Sequence, residues 1–242
     1  MTRKAHCTQY GKRESAAPQA TDTSHRRAAS YLSLPAELSL DSKGCAMPLA
    51  PKVVVFVGSL RKESFNRKTA QAMIALNAAP LEHEFAEIGN QPQPLYNQDL
   101  DTDNPPAEWA ALRRQVKGAD AVLFFTPEYN RSIPGVLKNA VDVASRPYGK
   151  NAFDAKPGAV ASVSPGAIGG FGANYNLRQY LAYLNVLTMA QPEAYIGGAA
   201  NLFDAQGKFA NDSTRDFMAD FVRAFAKWID AIRRPATARV AN

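Results

Sequence analysis

Cysteine and histidine are nearly absent from most of this 242-residue chain. Both cysteines, Cys7 and Cys45, lie near the amino terminus, and after them only one histidine occurs, His83. From residue 46 onward a thiol nucleophile, a structural disulfide and a cysteine-based metal site are therefore excluded. A single histidine removes multi-histidine zinc sites and weighs against a Ser-His-Asp triad. Difficult chemistry on such a chain needs a cofactor brought from outside. The lack of a disulfide framework fits a reducing cytoplasm, the expected location.

Long apolar runs are missing as well. None reaches the 18 residues of a membrane-crossing helix, so no membrane insertion is expected. No apolar stretch follows Met1, so no ordinary secretory signal is expected either. The net charge is +6, and residues 1–46, with seven bases and four acids, carry half of it. The remainder is only mildly basic and shows no dense basic stripe with interleaved aromatics, so no nucleic-acid partner is expected. A mild positive potential suits anionic small ligands such as nucleotides.

Residues 1–50 are rich in Ala, Ser, Thr and Arg and have no sustained period, so they read as a disordered N-terminal extension. Met47 stands just before the first strand-like run and is a candidate native start. The Arg and Ser content also suits a targeting peptide, against which the four acids count. Residues 51–235 read as one domain and 236–242 as a C-terminal tail.

Within the domain, strands and helices alternate. Residues 53–57 (Val-Val-Val-Phe-Val) form the most strand-like run, followed by a helix over 68–79 and a shorter strand over 81–88. A polar loop at 89–104 leads to a helix that Pro105 opens and Gly118 closes. Residues 121–126 are apolar throughout, as in a strand buried on both faces. A helix begins near Pro134, a strand covers 159–163, and a helix covers 174–184. Residues 185–189 and 194–196 read as one strand region broken at Gln191-Pro192. In the last helix, 212–233, Ser213 and Asp216 resemble a capping box. Phe217, Phe221, Phe225, Trp228 and Ile232 share a face there and read as core. The expectation is an α/β domain: a doubly wound, five-stranded parallel sheet in the flavodoxin-like order 2-1-3-4-5. Its ligand crevice would lie at the carboxyl ends of the first and third strands, where the winding reverses.

The two richest polar loops follow those two strands. The first reads Gly58-Ser59-Leu60-Arg61-Lys62-Glu63-Ser64-Phe65-Asn66. Ser59, Ser64 and Asn66 offer small donors, Arg61 a bidentate guanidinium, and the following helix start offers free N–H groups and a positive dipole end. The pattern is neither a Walker A loop nor G-x-G-x-x-G, which argues against an ATPase and a standard dinucleotide fold. The same residues equally suit a plain helix start capped by Ser64, with Arg61 solvated. The second loop, Pro127-Glu128-Tyr129-Asn130-Arg131-Ser132-Ile133-Pro134, projects an aromatic face and amide groups toward the crevice. An ordinary turn-to-helix connection would look similar.

Taken together, G-S-L-R-K-x-S-x-N and P-E-Y-N-x-S-I-P-G-x-L-K-N-A-x-D resemble the phosphate loop and isoalloxazine loop of the NAD(P)H-dependent FMN reductase family, the flavodoxin-like quinone, chromate and azo-dye reductases. Residues 162–170 resemble that family's Gly-rich loop after the fourth strand, and 94–99 its loop after the second. The resemblance covers about residues 52–235. It implies an enzyme holding FMN without a covalent bond: Ser59, Arg61, Ser64 and Asn66 on the phosphate, Pro127, Glu128, Tyr129 and Asn130 along the ring through backbone groups, and Ser164 and Gly166 at its other edge. It implies hydride transfer from NADPH or NADH through flavin N5 to quinones or similar acceptors, including free flavin, azo dyes and chromate, with no metal. It also implies a homodimer or homotetramer. Arg131 departs from the family pattern. It suits steering an anionic acceptor or the NADPH phosphate, pairing with an acid across a subunit interface, or plain solvation. A flavodoxin-like electron carrier, or a flavin-binding module without pyridine-nucleotide turnover, is the alternative. The mild basicity weighs against it.

Overall fold

The computed structural model describes residues 38–40, 46–86, 88–89 and 93–233. Most of the segment 1–50 and the tail 236–242 lie outside the described residues. Within the segment 1–50, strands β1 (Leu38–Leu40) and β2 (Ala46–Pro48) pair antiparallel.

The domain that follows is built on a parallel sheet. Its strands are β3 (Lys52–Val57), β4 (Glu82–Phe85), β5 (Ala121–Thr126), β6 (Pro157–Val163), β7 (Leu187–Thr188) and β8 (Ala194–Ile196). They run in the order β4-β3-β5-β6-β7, with β8 also paired to β6. Taking β7 and β8 as the fifth strand region, this is the expected order 2-1-3-4-5. The break falls at a cis Gln191-Pro192 peptide. Helices α1 (Phe65–Ala75), α2 (Ala107–Lys117), α3 (Gly135–Ala144), α4 (Phe171–Tyr183) and α5 (Asp212–Arg233) complete the winding.

The period of two along the strands sends alternate side chains to opposite faces. Val54, Phe56, Val122, Phe124 and Val160 meet Trp109 and Leu112 of α2, Leu137 and Val141 of α3, and Leu177 of α4. Val53, Val55, Leu123, Phe125 and Ala161 meet Met73 of α1 and Phe221, Phe225 and Ile229 of α5. Both faces are covered, which is why Val53–Val57 and Ala121–Phe125 are apolar throughout. Phe56 and Phe124 stack with centroids 4.8 Å apart, adding about 1 kcal/mol beyond area burial. On α5, Ile229 rather than Ile232 completes the fully buried stripe. Its first turn is capped by Asn211, whose Oδ1 accepts from the Thr214 N–H at 2.8 Å, so the Ser213–Asp216 capping box is not used.

The winding reverses between β3 and β5, because β4 lies on one side of β3 and β6 on the far side of β5. Three loops leave the carboxyl ends of β3, β5 and β6 at this edge, and they carry the polar motifs.

Candidate FMN site

Beyond β3 the backbone stays tied to its neighbour: the Gly58 N–H donates to the Phe125 carbonyl at 2.8 Å. The chain then bulges out through 60–63 and returns at Ser64, the N-cap of α1, whose hydroxyl accepts from the Arg67 N–H at 3.2 Å. This cap moves the helix start to Phe65, three residues before the expected one. It leaves the N–H groups of Phe65 and Asn66 outside the helical ladder and facing the loop. The Arg61 guanidinium lies 5.6 Å from the Phe65 ring and makes no ion pair among the described residues. Asn66 is buried. Its Nδ2 donates to the Val163 carbonyl at 3.1 Å, while its Oδ1 is buried with no partner.

In the second loop, Asn130 and Arg131 both adopt positive φ, 52° and 64°. Tyr129 and Ser132 exchange backbone hydrogen bonds at 2.9 and 3.0 Å. Two successive left-handed residues closed by such a pair make a type I′ hairpin turn. Asn accepts this conformation readily, whereas Arg131 adopts it at a cost of about 1 kcal/mol. The handedness folds Arg131 back so that its guanidinium reaches Glu128 at 2.8 Å while staying largely exposed. Steering an anionic acceptor or the NADPH phosphate, pairing across a subunit interface and plain solvation are the alternatives for Arg131; within this chain its partner is Glu128 of its own loop. The other Glu128 oxygen, Oε2, accepts the N–H of Ala173 in the first turn of α4 at 3.1 Å. The Ser132 hydroxyl donates to Asn176 Oδ1 at 2.7 Å.

The third loop is held from below. Ser164 N–H donates to the Ile196 carbonyl at 3.0 Å, and Gly166 N–H to the Ser164 hydroxyl at 3.2 Å. Gly169 has φ +66° and lies so close to Tyr195 and Ile196 that a Cβ would meet their backbone atoms at 2.5–2.7 Å. Only glycine fits there. Buried Asn174 fastens α4 to the sheet through Ser162 Oγ and the Ala194 carbonyl, both at 3.3 Å.

Ser59, Arg61, Asn66, Pro127, Glu128, Tyr129 and Ser164 line one crevice. Phe65, Val163 and Pro165 join them, unanticipated by sequence reasoning although each adjoins an expected residue. Ser64 caps α1, and Ser64, Asn130, Arg131 and Gly166 are not part of the lining. The loop at 94–99 is set apart from this lining: Tyr96 N–H and the Pro94 carbonyl are both bound by Asn139 of α3. Tyr195 of β8 has its phenol pushed up to about 12, first by desolvation and then by its hydrogen bond to Glu193.

A larger cavity of about 800 Å³ lies between α1 and the turn at 203–209. Its polar groups are largely committed elsewhere. Lys68 pairs with Glu63, Arg215 with Asp212 and Asp216, and Asp204 accepts from the N–H groups of Gln206 and Lys208. Among the described residues no His, Cys, Asp or Glu cluster could hold a metal, and no helix is long and apolar enough to cross a membrane.

FMN is compatible with the crevice on its donor set. An unpaired guanidinium and a helix N-terminus accept a dianion. The orphaned Asn66 oxygen requires an O–H or N–H donor, which a polyhydroxy chain provides.

The comparisons agree. Residues 51–201 match the family model for NADPH-dependent FMN reductases. A quinone reductase of Pseudomonas putida is 56% identical over 177 residues, covering 73% of this chain and 94% of that protein. A 2-hydroxy-1,4-benzoquinone reductase of a Burkholderia species is 44% identical over 181 residues, covering 75% and 97%. Among solved structures, the FerB flavoenzyme NAD(P)H:(acceptor) oxidoreductase of Paracoccus denitrificans is 42% identical with a TM-score of 0.71, covering 75% of this chain and 98% of that one. This chain belongs to the NADPH-dependent FMN reductase family.

Proposed function

We propose that this enzyme oxidises NAD(P)H and reduces quinones, with FMN held in the crevice above β3 and β5. The observation that carries the reading is the buried, partnerless Asn66 oxygen between an unpaired arginine and an aromatic loop. When bound, FMN supplies the two-electron chemistry, taking hydride at N5 and passing it on.

The chain's own part is binding and exclusion of water. Arg61, Ser59, the Ser64 hydroxyl proton and the first N–H groups of α1 hold the phosphate. Asn66 accepts from a ribityl hydroxyl, since a phosphate dianion has no proton to give it. The backbone of Pro127, Glu128, Tyr129 and Asn130 borders the ring, and Ser164 and Gly166 border its other edge. Half-exposed Tyr129 would flank the place that nicotinamide and acceptor would take in turn.

Quinones are the favoured acceptors because relatives that align along nearly their whole length carry quinone-reductase names. Free flavin, azo dyes and chromate are within reach of the same chemistry. Exposed Ile168, Phe171 and Tyr175 beside the crevice support assembly as a homodimer or homotetramer. Steady-state kinetics with NADPH and 1,4-benzoquinone test the activity. Parallel double-reciprocal lines are expected for two substrates sharing one place in turn. NADPH oxidation that does not respond to quinone would defeat the reading.

A further inference from the structure

We propose that the Glu128 side chain is a positioning residue, a two-armed clasp that sets the separation of the two loops bordering the flavin ring. The inference rests on the crevice being the FMN site. One oxygen, Oε2, takes the N–H of Ala173, in the first turn of α4, just after the Gly-rich loop. The other, Oε1, takes Arg131 on the far side of its own hairpin turn. A single carboxylate, its side chain only 12% exposed, thus ties Glu128 to Ala173, 45 positions further along the chain.

Four features show that the surroundings are shaped for this contact. Gly172 leaves room for it, since a Cβ there would lie 3.0 Å from Glu128 Oε2 and 3.3 Å from the Arg131 carbonyl oxygen. The carboxylate meets the positive end of α4, where an acid is favoured. The Ser132–Asn176 hydrogen bond at 2.7 Å ties the same hairpin to the same helix one turn further on, so the loop is fixed at two points. Arg131 holds a left-handed conformation that arginine rarely adopts, and its ion pair with Glu128 offsets that strain. The two arms differ in weight. The Ala173 arm is partly buried and spans two elements, whereas the Arg131 arm is exposed and local.

The test compares Glu128→Ala, Glu128→Gln and Arg131→Gly in the full chain. FMN is titrated into apoprotein by fluorescence quenching, and the apoprotein unfolding temperature is measured alongside. Glu128→Ala removes both arms and is expected to raise the FMN Kd about tenfold or more, because loops that are misplaced by an ångström lose much of their pre-organisation. Glu128→Gln keeps an oxygen for Ala173 and is expected to restore affinity to within about fivefold of the parent. Arg131→Gly removes the lesser arm together with the strain and is expected to stay close to the parent. Apoprotein unfolding temperatures should be similar throughout.

An unchanged Kd in Glu128→Ala overturns the clasp. So does a Gln variant as weak as the Ala variant, or a loss of affinity that merely follows a loss of apoprotein stability. Failure of the parent chain to bind FMN overturns instead the reading of the crevice on which the clasp rests.

Discussion

Asn66 Nδ2 donates to the Val163 carbonyl at 3.1 Å, joining the first turn of α1 to the end of β6 across the floor of the crevice. This bond fixes the amide's orientation and turns its oxygen inward without a partner. Replacing Asn66 by Ala removes the bond and leaves a buried carbonyl unsatisfied, at about 1–3 kcal/mol. Urea unfolding of the apoprotein should show that loss, and FMN titration should show weaker binding. A variant equal to the parent in both would mean that this floor contributes nothing.

Arg61 behaves differently, because it is exposed and has no ion pair among the described residues. Arg61→Ala is expected to leave apoprotein stability unchanged while FMN affinity falls by roughly ten- to a hundredfold, the equivalent of about 1.5–3 kcal/mol for a charge-assisted hydrogen bond. The deficit should shrink at high salt, where the phosphate contact is screened in the parent as well. Parent-like affinity would remove Arg61 from the phosphate site.

Away from the crevice, Arg113 of α2 grips Asp101 with two hydrogen bonds at 2.7 and 2.9 Å, with side chains only 14% and 3% exposed. Asp101 also accepts from the Tyr96 hydroxyl at 3.2 Å, and Arg113 Nε donates to the Val143 carbonyl. Arg113→Ala leaves a buried carboxylate without its partner and should destabilise the fold by about 3–5 kcal/mol. The Arg113→Ala/Asp101→Asn double variant should recover part of that loss in denaturant unfolding. Equal instability of the single and double variants would show that the pair is not the source.

His83 on β4 gives a pH dependence. Burial depresses its ionisation below the ordinary 6.5, partly opposed by a hydrogen bond with the Leu81 backbone, and its Nε2 is buried without a partner. The folded state therefore keeps it neutral, while the unfolded chain protonates it near 6.5. Below that pH the unfolded state binds more protons, so stability falls as pH falls toward the depressed folded value. Glu84, whose ionisation is lowered first by its hydrogen bond with Lys52, loses its contribution only near and below 4.5, a separate window. Urea midpoints between pH 7.5 and 5.5 should decline in the parent and flatten in His83→Leu. Matching slopes would exclude His83 as the cause.

The order of the sheet and the whereabouts of the site were legible because strand periodicity and polar loops at strand ends are local properties of the chain. Glu128 and Arg131 show where legibility stops. The contact of Glu128 with Ala173 depends on how α4 docks, and the return of Arg131 onto Glu128 depends on two left-handed residues that Asn-Arg does not announce. The start of α4 was placed three residues late because its N-cap, Gly170, has no side chain to mark it. Asn66 could be read as a polar donor near a helix start, but not as a tie to Val163, 97 residues away.

The most direct measurement is an anaerobic absorption spectrum of the purified chain. The account predicts flavin bands near one FMN per chain that bleach on stoichiometric NADPH and return on adding 1,4-benzoquinone. A bound flavin that pyridine nucleotide does not bleach would contradict it and identify an electron carrier, and a chain that takes up no FMN would contradict the site itself.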